Sequence, residues 1–226
     1  MSVNFISMEE SAPGLREFKK ARTRRAISDV ATRLFAEQGF EAVTVAQIAA
    51  AAEVSIKTVF NYFTTKEDLF FDRAGELIDV LLRTIAERPA GTTVTAALHA
   101  LLADNLAPFP GTGWRELREP ARYEAFRAFV ATESAAPALR ARRLTLSETW
   151  AEPIAAAVAR EVGLRADDAR TQTYAAMLLA IMGQRNRLLT AAVLERAGAR
   201  TVERRVRGAM DEAFARLARA FDDLEN

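Results

Sequence analysis

The sequence contains no cysteine and a single histidine, His99. The first absence excludes a disulfide framework and any thiolate metal site. One histidine cannot assemble a histidine-based zinc centre, so no metal is expected. A glycine-rich phosphate loop and a nucleophile elbow are missing as well, which leaves no catalytic residue to name and argues against an enzyme. His99, in an Ala- and Leu-rich stretch, reads as a structural histidine, and no cofactor is expected. No run of about 18 uncharged apolar residues is present to span a membrane. The segment from Met1 to Ser11 carries Glu9 and Glu10 and lacks the apolar core of a signal peptide. A cytoplasmic chain is the expectation.

What is present favours helix. Half of the 226 residues are hydrophobic, and Ala and Leu dominate, so a real core can form in one domain or two. The net charge of +1 hides an uneven distribution. Arg16, Lys19, Lys20, Arg22, Arg24 and Arg25 lie close together, opposed only by Glu17. Such a cluster marks phosphate contact when it stands beside a DNA-binding motif, although basic runs also occur on ordinary solvated faces.

The pattern along the chain predicts an all-α fold. Residues 1–14 read as a flexible arm punctuated by Pro13-Gly14. A helix is predicted from about Leu15 to Gly39, a natural residue at a helix end. Thr44 and Gln47 fit a capping box ahead of a helix over Val45–Ala52. Ser55 can cap a second short helix, Ile56 to about Tyr62. A longer helix is predicted from Thr65-Lys66-Glu67-Asp68 to about Glu87, ended by Pro89 and Gly91. Further helices are placed near 93–107, 120–132, 137–161, 167–190 and 201–222, with a kink at Pro153 and a loop marked by Pro108, Pro110, Gly111 and Gly113. A division into residues 15–65, a helix-turn-helix unit, and residues 66–226, a helical ligand-binding and dimerisation unit, follows.

Two short helices joined by a tight turn form a helix-turn-helix, the second helix entering the major groove. Val45, Ile48, Ala49, Val54, Val59 and Phe63 can build its small core with Leu34, Phe35 and Phe40. Ser55, Lys57, Thr58, Asn61 and Tyr62 are then left on the outer face. Lys57 can reach a guanine edge or a phosphate, Asn61 an adenine edge, and Thr58 a base or a thymine methyl. Thr44 and Lys66 start flanking helices, where backbone N–H groups favour a phosphate oxygen.

The run Ala36-Glu37-Gln38-Gly39-Phe40, then Thr44-Val45-Ala46-Gln47-Ile48-Ala49, then Val54 through Phe63, then Lys66-Glu67-Asp68-Leu69, resembles the signature of the tetracycline-repressor (TetR) family. The resemblance covers about residues 20–70. It implies a one-component repressor that binds a palindromic operator in double-stranded DNA as a dimer and is released by a small molecule. On matching positions, Thr44 resembles a phosphate-binding N-cap, Thr58 a base- or backbone-contacting residue, Tyr62 a second contact, and Lys66 a phosphate lysine. Arg22 and Arg24 resemble a helix-one entry directed at the backbone or minor groove. Phe60 departs from the pattern, where many members have a phosphate-binding Tyr. It is therefore expected to pack, with Asn61 or Tyr62 supplying that contact. A nucleoid-associated location follows.

The second half says less. The resemblance implies a ligand pocket among the middle helices and a homodimer through the last two. Tyr174, Ala175, Met177, Leu178, Ile181, Met182 and Leu189 form one apolar face, and Val202, Val206, Met210, Phe214, Leu217 and Phe221 another. Two such helices per subunit can make a four-helix interface, or close the subunit's own core. Leu77, Leu81, Leu102, Trp114, Tyr123, Phe126, Phe129, Trp150, Met177 and Gln184 are candidate pocket residues. Arg185 and Arg187 can anchor an anionic ligand or project to solvent. The segment from Phe126 to Glu161 resembles acyl-CoA-responsive members, which implies a fatty acyl chain in the pocket and basic residues at the phosphates. An effector-independent DNA-binding dimer is the alternative, recognised by a filled interior.

Overall fold

Gly14 leads into α1 (Leu15–Gln38), whose buried stripe of Ile27, Ala31 and Phe35 repeats every fourth residue. The helix stops at Gly39, where φ is 84° and the N–H caps Phe35 O at 2.9 Å. Only glycine adopts this backbone without strain. The computed structural model of the protein describes residues 14–104 and 113–222, so the expected arm over 1–14 and the loop at Pro108, Pro110 and Gly111 lie almost wholly outside the described residues.

Three short helices follow. Thr44 caps α2 (Val45–Ala51) through a full capping box with Gln47, and Ser55 caps α3 (Ile56–Tyr62) by accepting from Thr58 N at 2.9 Å. Thr65 and Asp68 form a second capping box on α4 (Lys66–Phe70). Each cap satisfies backbone donors that a short helix leaves open. Ile48, Ala49, Val59, Phe63, Phe35 and Phe40 are buried together, joined by Val43, while Val45, Val54 and Leu34 are half-buried around them.

The single helix expected from Lys66 to Glu87 is instead two. α4 ends at Phe70, and α5 (Ala74–Ala86) begins after a turn. Phe70 and Phe71 are both buried, and neighbours on an uninterrupted helix point about 100° apart. The turn lets Phe70 reach the reader core while Phe71 meets Phe70 edge-on at 5.1 Å. Asp72 and Arg73, inside the turn, pair with Arg24 and Asp29 of α1.

The remaining elements are α6 (Val94–Asp104), a 3-10 turn (Glu116–Arg118), α7 (Pro120–Ala135), α8 (Pro137–Glu161), α9 (Ala169–Leu194) and α10 (Ala199–Ala220). No strand occurs among the described residues. α8 continues through Pro153, which faces solvent. α9 packs between α7, α8 and α10, and α10 also packs on α6. That arrangement decides between the two alternatives for these apolar faces. Tyr174, Ala175, Leu178, Met182 and Leu189 of α9 are buried within the single subunit, as are Val202, Val206, Met210, Phe214 and Leu217 of α10. A helix in the middle of a layered bundle gives most of its apolar face to its own core, and Met177 and Ile181 stay half-buried at its margin. His99 is structural, as expected: Nε2 lies 2.8 Å from Asp211 Oδ1 and the ring stacks on Phe214.

Candidate nucleic-acid interface and its link to an internal cavity

The second helix of the pair, α3, buries Val59 and turns the rest of its surface outward. Lys57 and Asn61 are exposed, as are Ile56 and Phe60, and Tyr62 and Thr58 are half-buried. Phe60 is 53% exposed, which overturns its expected packing role. The register explains it. Val59 and Phe63 hold the core stripe at i and i+4, and Phe60 is displaced from it by one residue, about 100° around the axis. Ser55 Oγ and Thr58 Oγ1 are 2.8 Å apart and bonded to each other.

The cationic residues divide into two groups. Arg16, Lys19, Lys20, Arg22 and Lys57 are exposed. Arg24, half-exposed, is engaged by its own chain: Nε donates to Asp72 Oδ1 at 2.5 Å, NH1 to Tyr62 O at 2.7 Å, and the guanidinium lies 4.5 Å over the Phe63 ring. Lys66 Nζ donates to Phe40 O at 2.9 Å and Val43 O at 3.2 Å, above the Phe40 ring. Both side chains tie the short helices to their surroundings. Thr44 is exposed, with its hydroxyl engaged by Gln47.

An aromatic series leads away from this unit. Phe35 lies 4.9 Å from Phe40 and 6.2 Å from Phe70, and Phe70 stacks on Phe129 of α7 at 4.2 Å. Phe129 and Phe71 form part of the wall of a cavity of about 240 Å³ among α5, α7, α8 and α9. Of the predicted pocket residues and anchors, Leu77, Phe126, Phe129, Trp150, Arg185 and Arg187 line it. Leu81 and Leu102 are buried in the core, and Trp114 Nε1 donates to Ala103 O at 2.7 Å. Tyr123 donates its hydroxyl to Ala197 O, Met177 packs on the core, and exposed Gln184 accepts from Arg187. None of these six lines that cavity.

The cavity has a polar end, of which the sequence pointed to Arg185 and Arg187 but not to Glu133 or Arg143. Glu133 of α7 is largely buried, with its Oε1 3.0 Å from Arg143 NH1 of α8, in an ion pair too bent to be a hydrogen bond. Burial pushes its carboxyl above the usual range against the opposing pull of Arg143. Arg185 is 2% exposed, and burial lowers its guanidinium to about 10. A signal did exist. Phe126, Phe129, Val130 and Glu133 fall at helical spacing on one stripe, so the carboxylate shares the apolar face. A second cavity, of about 420 Å³, lies between α1, the α4–α5 turn and α7, and shares Phe71, Ala74 and Phe129 with the first.

Residues 27–72 match the family model of bacterial regulatory proteins of the tetR family. The chain is also 31% identical over 164 residues to MftR of Mycobacterium tuberculosis, a protein named for transcriptional regulation of mycofactocin biosynthesis. That match covers 72% of this chain and 77% of MftR. The chain belongs to the TetR family of transcriptional regulators. The HTH-type transcriptional regulator TcmR of Streptomyces glaucescens is 38% identical over 88 residues, which span 39% of this chain and 39% of TcmR. The fold matches that of SmeT in its triclosan complex with a TM-score of 0.54 at 19% identity, covering 86% of this chain and 90% of that one. TetR-family regulators are non-enzymatic DNA-binding proteins that act as dimers and bind small effectors.

Proposed function

We propose that this TetR-family member is a one-component repressor that binds a palindromic operator as a homodimer and leaves it when a small, largely apolar effector fills the cavity. One observation carries the reading. α3 turns Lys57 and Asn61 outward, and the core beneath it continues through Phe70, stacked on Phe129, into the cavity wall. Lys57, Asn61, Thr58 and Tyr62 read bases and adjacent phosphates, and Arg22 with the exposed α1 lysines meets the backbone. Ser55 and Thr44 set the helix starts, and Arg24 and Lys66 hold the reader in register. The reading unit comprises residues 15–65, and residues 66–226 carry effector and partner contacts.

Cavity size and polarity bear on the effector. A volume of about 240 Å³ lies just below the usual range of ligand sites. It accommodates a compact aromatic or short-chain acid, its anionic end toward Arg143 and Arg185. A whole acyl-CoA would leave its nucleotide outside. The partner subunit docks on the outward face of α9, where Ala176, Ala180 and Ala191 are small and Leu194 is 52% exposed, together with α10. Ligand in the cavity shifts the dimer to a state whose two α3 helices no longer match successive major grooves. An electrophoretic shift of the full chain with its own upstream DNA is expected to give a salt-sensitive, palindrome-dependent complex. No such complex at any salt concentration overturns the proposal.

A further inference from the structure

We propose that Ile56 and Phe60 determine operator specificity by seating thymine methyl groups in the major groove. The inference rests on the DNA-reading role of α3 proposed above and assigns it two residues of unexpected chemistry. Among the described residues only five large hydrophobic side chains are exposed, and two of them are on this seven-residue helix: Ile56 at 47% and Phe60 at 53%. They stand four residues apart, so they share one face. Lys57 and Asn61 are exposed on the stripe next to them, and the basic residues of α1 bring the unit to a polyanion.

The polar complement of the helix is thin. The Ser55 and Thr58 hydroxyls bond each other, and Ser55 Oγ also accepts the Thr58 N–H. Lys57 and Asn61 are left as the fully exposed polar readers, with Tyr62 half-buried, and the apolar pair forms the stripe beside them, about 100° around the axis. In the major groove only thymine offers an apolar group, its C5-methyl. Four residues of helix rise about 6 Å, close to two base steps of about 3.4 Å. Each half-site is thus expected to carry thymines about two steps apart, one under each side chain.

The test starts from the duplex that the full-length protein enriches from a random pool. Each thymine is replaced singly by deoxyuridine, which removes the methyl and keeps the pairing edge. Wild type is expected to lose about fourfold in affinity at each of two positions per half-site, the worth of about one buried carbon. Phe60→Ala is expected to bind the thymine duplex more weakly and to be indifferent to uracil at one of those positions, and Ile56→Ala at the other. Both substitutions are on an exposed surface, and unchanged helicity and thermal midpoint verify folding. Equal wild-type affinity for thymine and uracil duplexes overturns the proposal, as does an undiminished uracil penalty in both variants. In either case salt-sensitive selection of a palindrome leaves the regulator reading standing. Failure to enrich any sequence overturns both.

Discussion

Arg142 of α8 donates from Nε and NH2 to Asp68 Oδ1, at 3.0 and 2.7 Å, while Asp68 Oδ2 accepts the Thr65 N–H that opens α4. One carboxylate therefore caps the helix behind the reader and anchors it to α8. The next residue, Arg143, faces the cavity and its Glu133. Adjacent side chains on one helix thus touch the proposed effector site and the reader.

Arg142→Ala is expected to loosen α4 without disturbing the core. Asp68 keeps its capping bond, so the chain stays folded. Amides of Lys66–Phe70 should exchange several-fold faster in hydrogen-exchange experiments, while those of buried α9 hold their protection. Unchanged exchange in α4 would show that this ion pair carries no coupling.

Phe70→Ala is expected to cost about 3–5 kcal/mol of stability, as for other buried aromatic truncations. Phe70 is 5% exposed and touches Phe35, Phe40, Phe71 and Phe129. Denaturant unfolding measures it. A loss under about 1 kcal/mol would mean that the aromatic series is loosely packed.

Lys66→Ala and Lys57→Ala are expected to separate by assay. Lys66 satisfies two backbone carbonyls, so its loss should lower stability by about 1.5–3 kcal/mol and weaken all DNA sequences alike. Lys57 is exposed, so its loss should leave the thermal midpoint unchanged and reduce discrimination at one base pair by about 1–3 kcal/mol.

Glu133 sets a pH dependence. Burial raises its carboxyl above the ordinary value of 4.5. The folded state therefore holds this proton more tightly than the unfolded chain does. Its contribution is fully present below the unfolded value and is lost as pH rises through the raised one. The stability of wild type relative to Glu133→Gln is expected to fall as pH rises above about 4.5, measured by thermal unfolding across pH. A flat difference would contradict a buried, proton-retaining Glu133.

The reader was legible because its signals are local. Thr44 with Gln47, Ser55, Thr65 with Asp68, and Gly39 each act within a few residues, and the helices start and stop where these residues place them. Long-range packing was not legible. The break at Phe71–Arg73 arises because two adjacent aromatics serve different neighbours. The apolar faces of α9 and α10 follow periodicity, but periodicity does not say which surface covers them. Glu133 shares the apolar stripe of α7, but its pairing with Arg143 exists only once α7 and α8 are brought together. Phe60 lacks the hydroxyl of the tyrosine common at this position, which suggests packing, but its register, one residue from Val59, puts it outside.

The account depends on α3 presenting its side chains to a DNA groove. Fluorescence anisotropy of the selected duplex, titrated with wild type and with the Lys57→Ala, Asn61→Ala double variant over a salt series, tests this most directly. The account predicts tight wild-type binding that weakens steeply with salt, and a variant of unchanged fold whose preference for the selected over a scrambled duplex is at least about tenfold smaller. A double variant that retains wild-type preference for the selected duplex would contradict it.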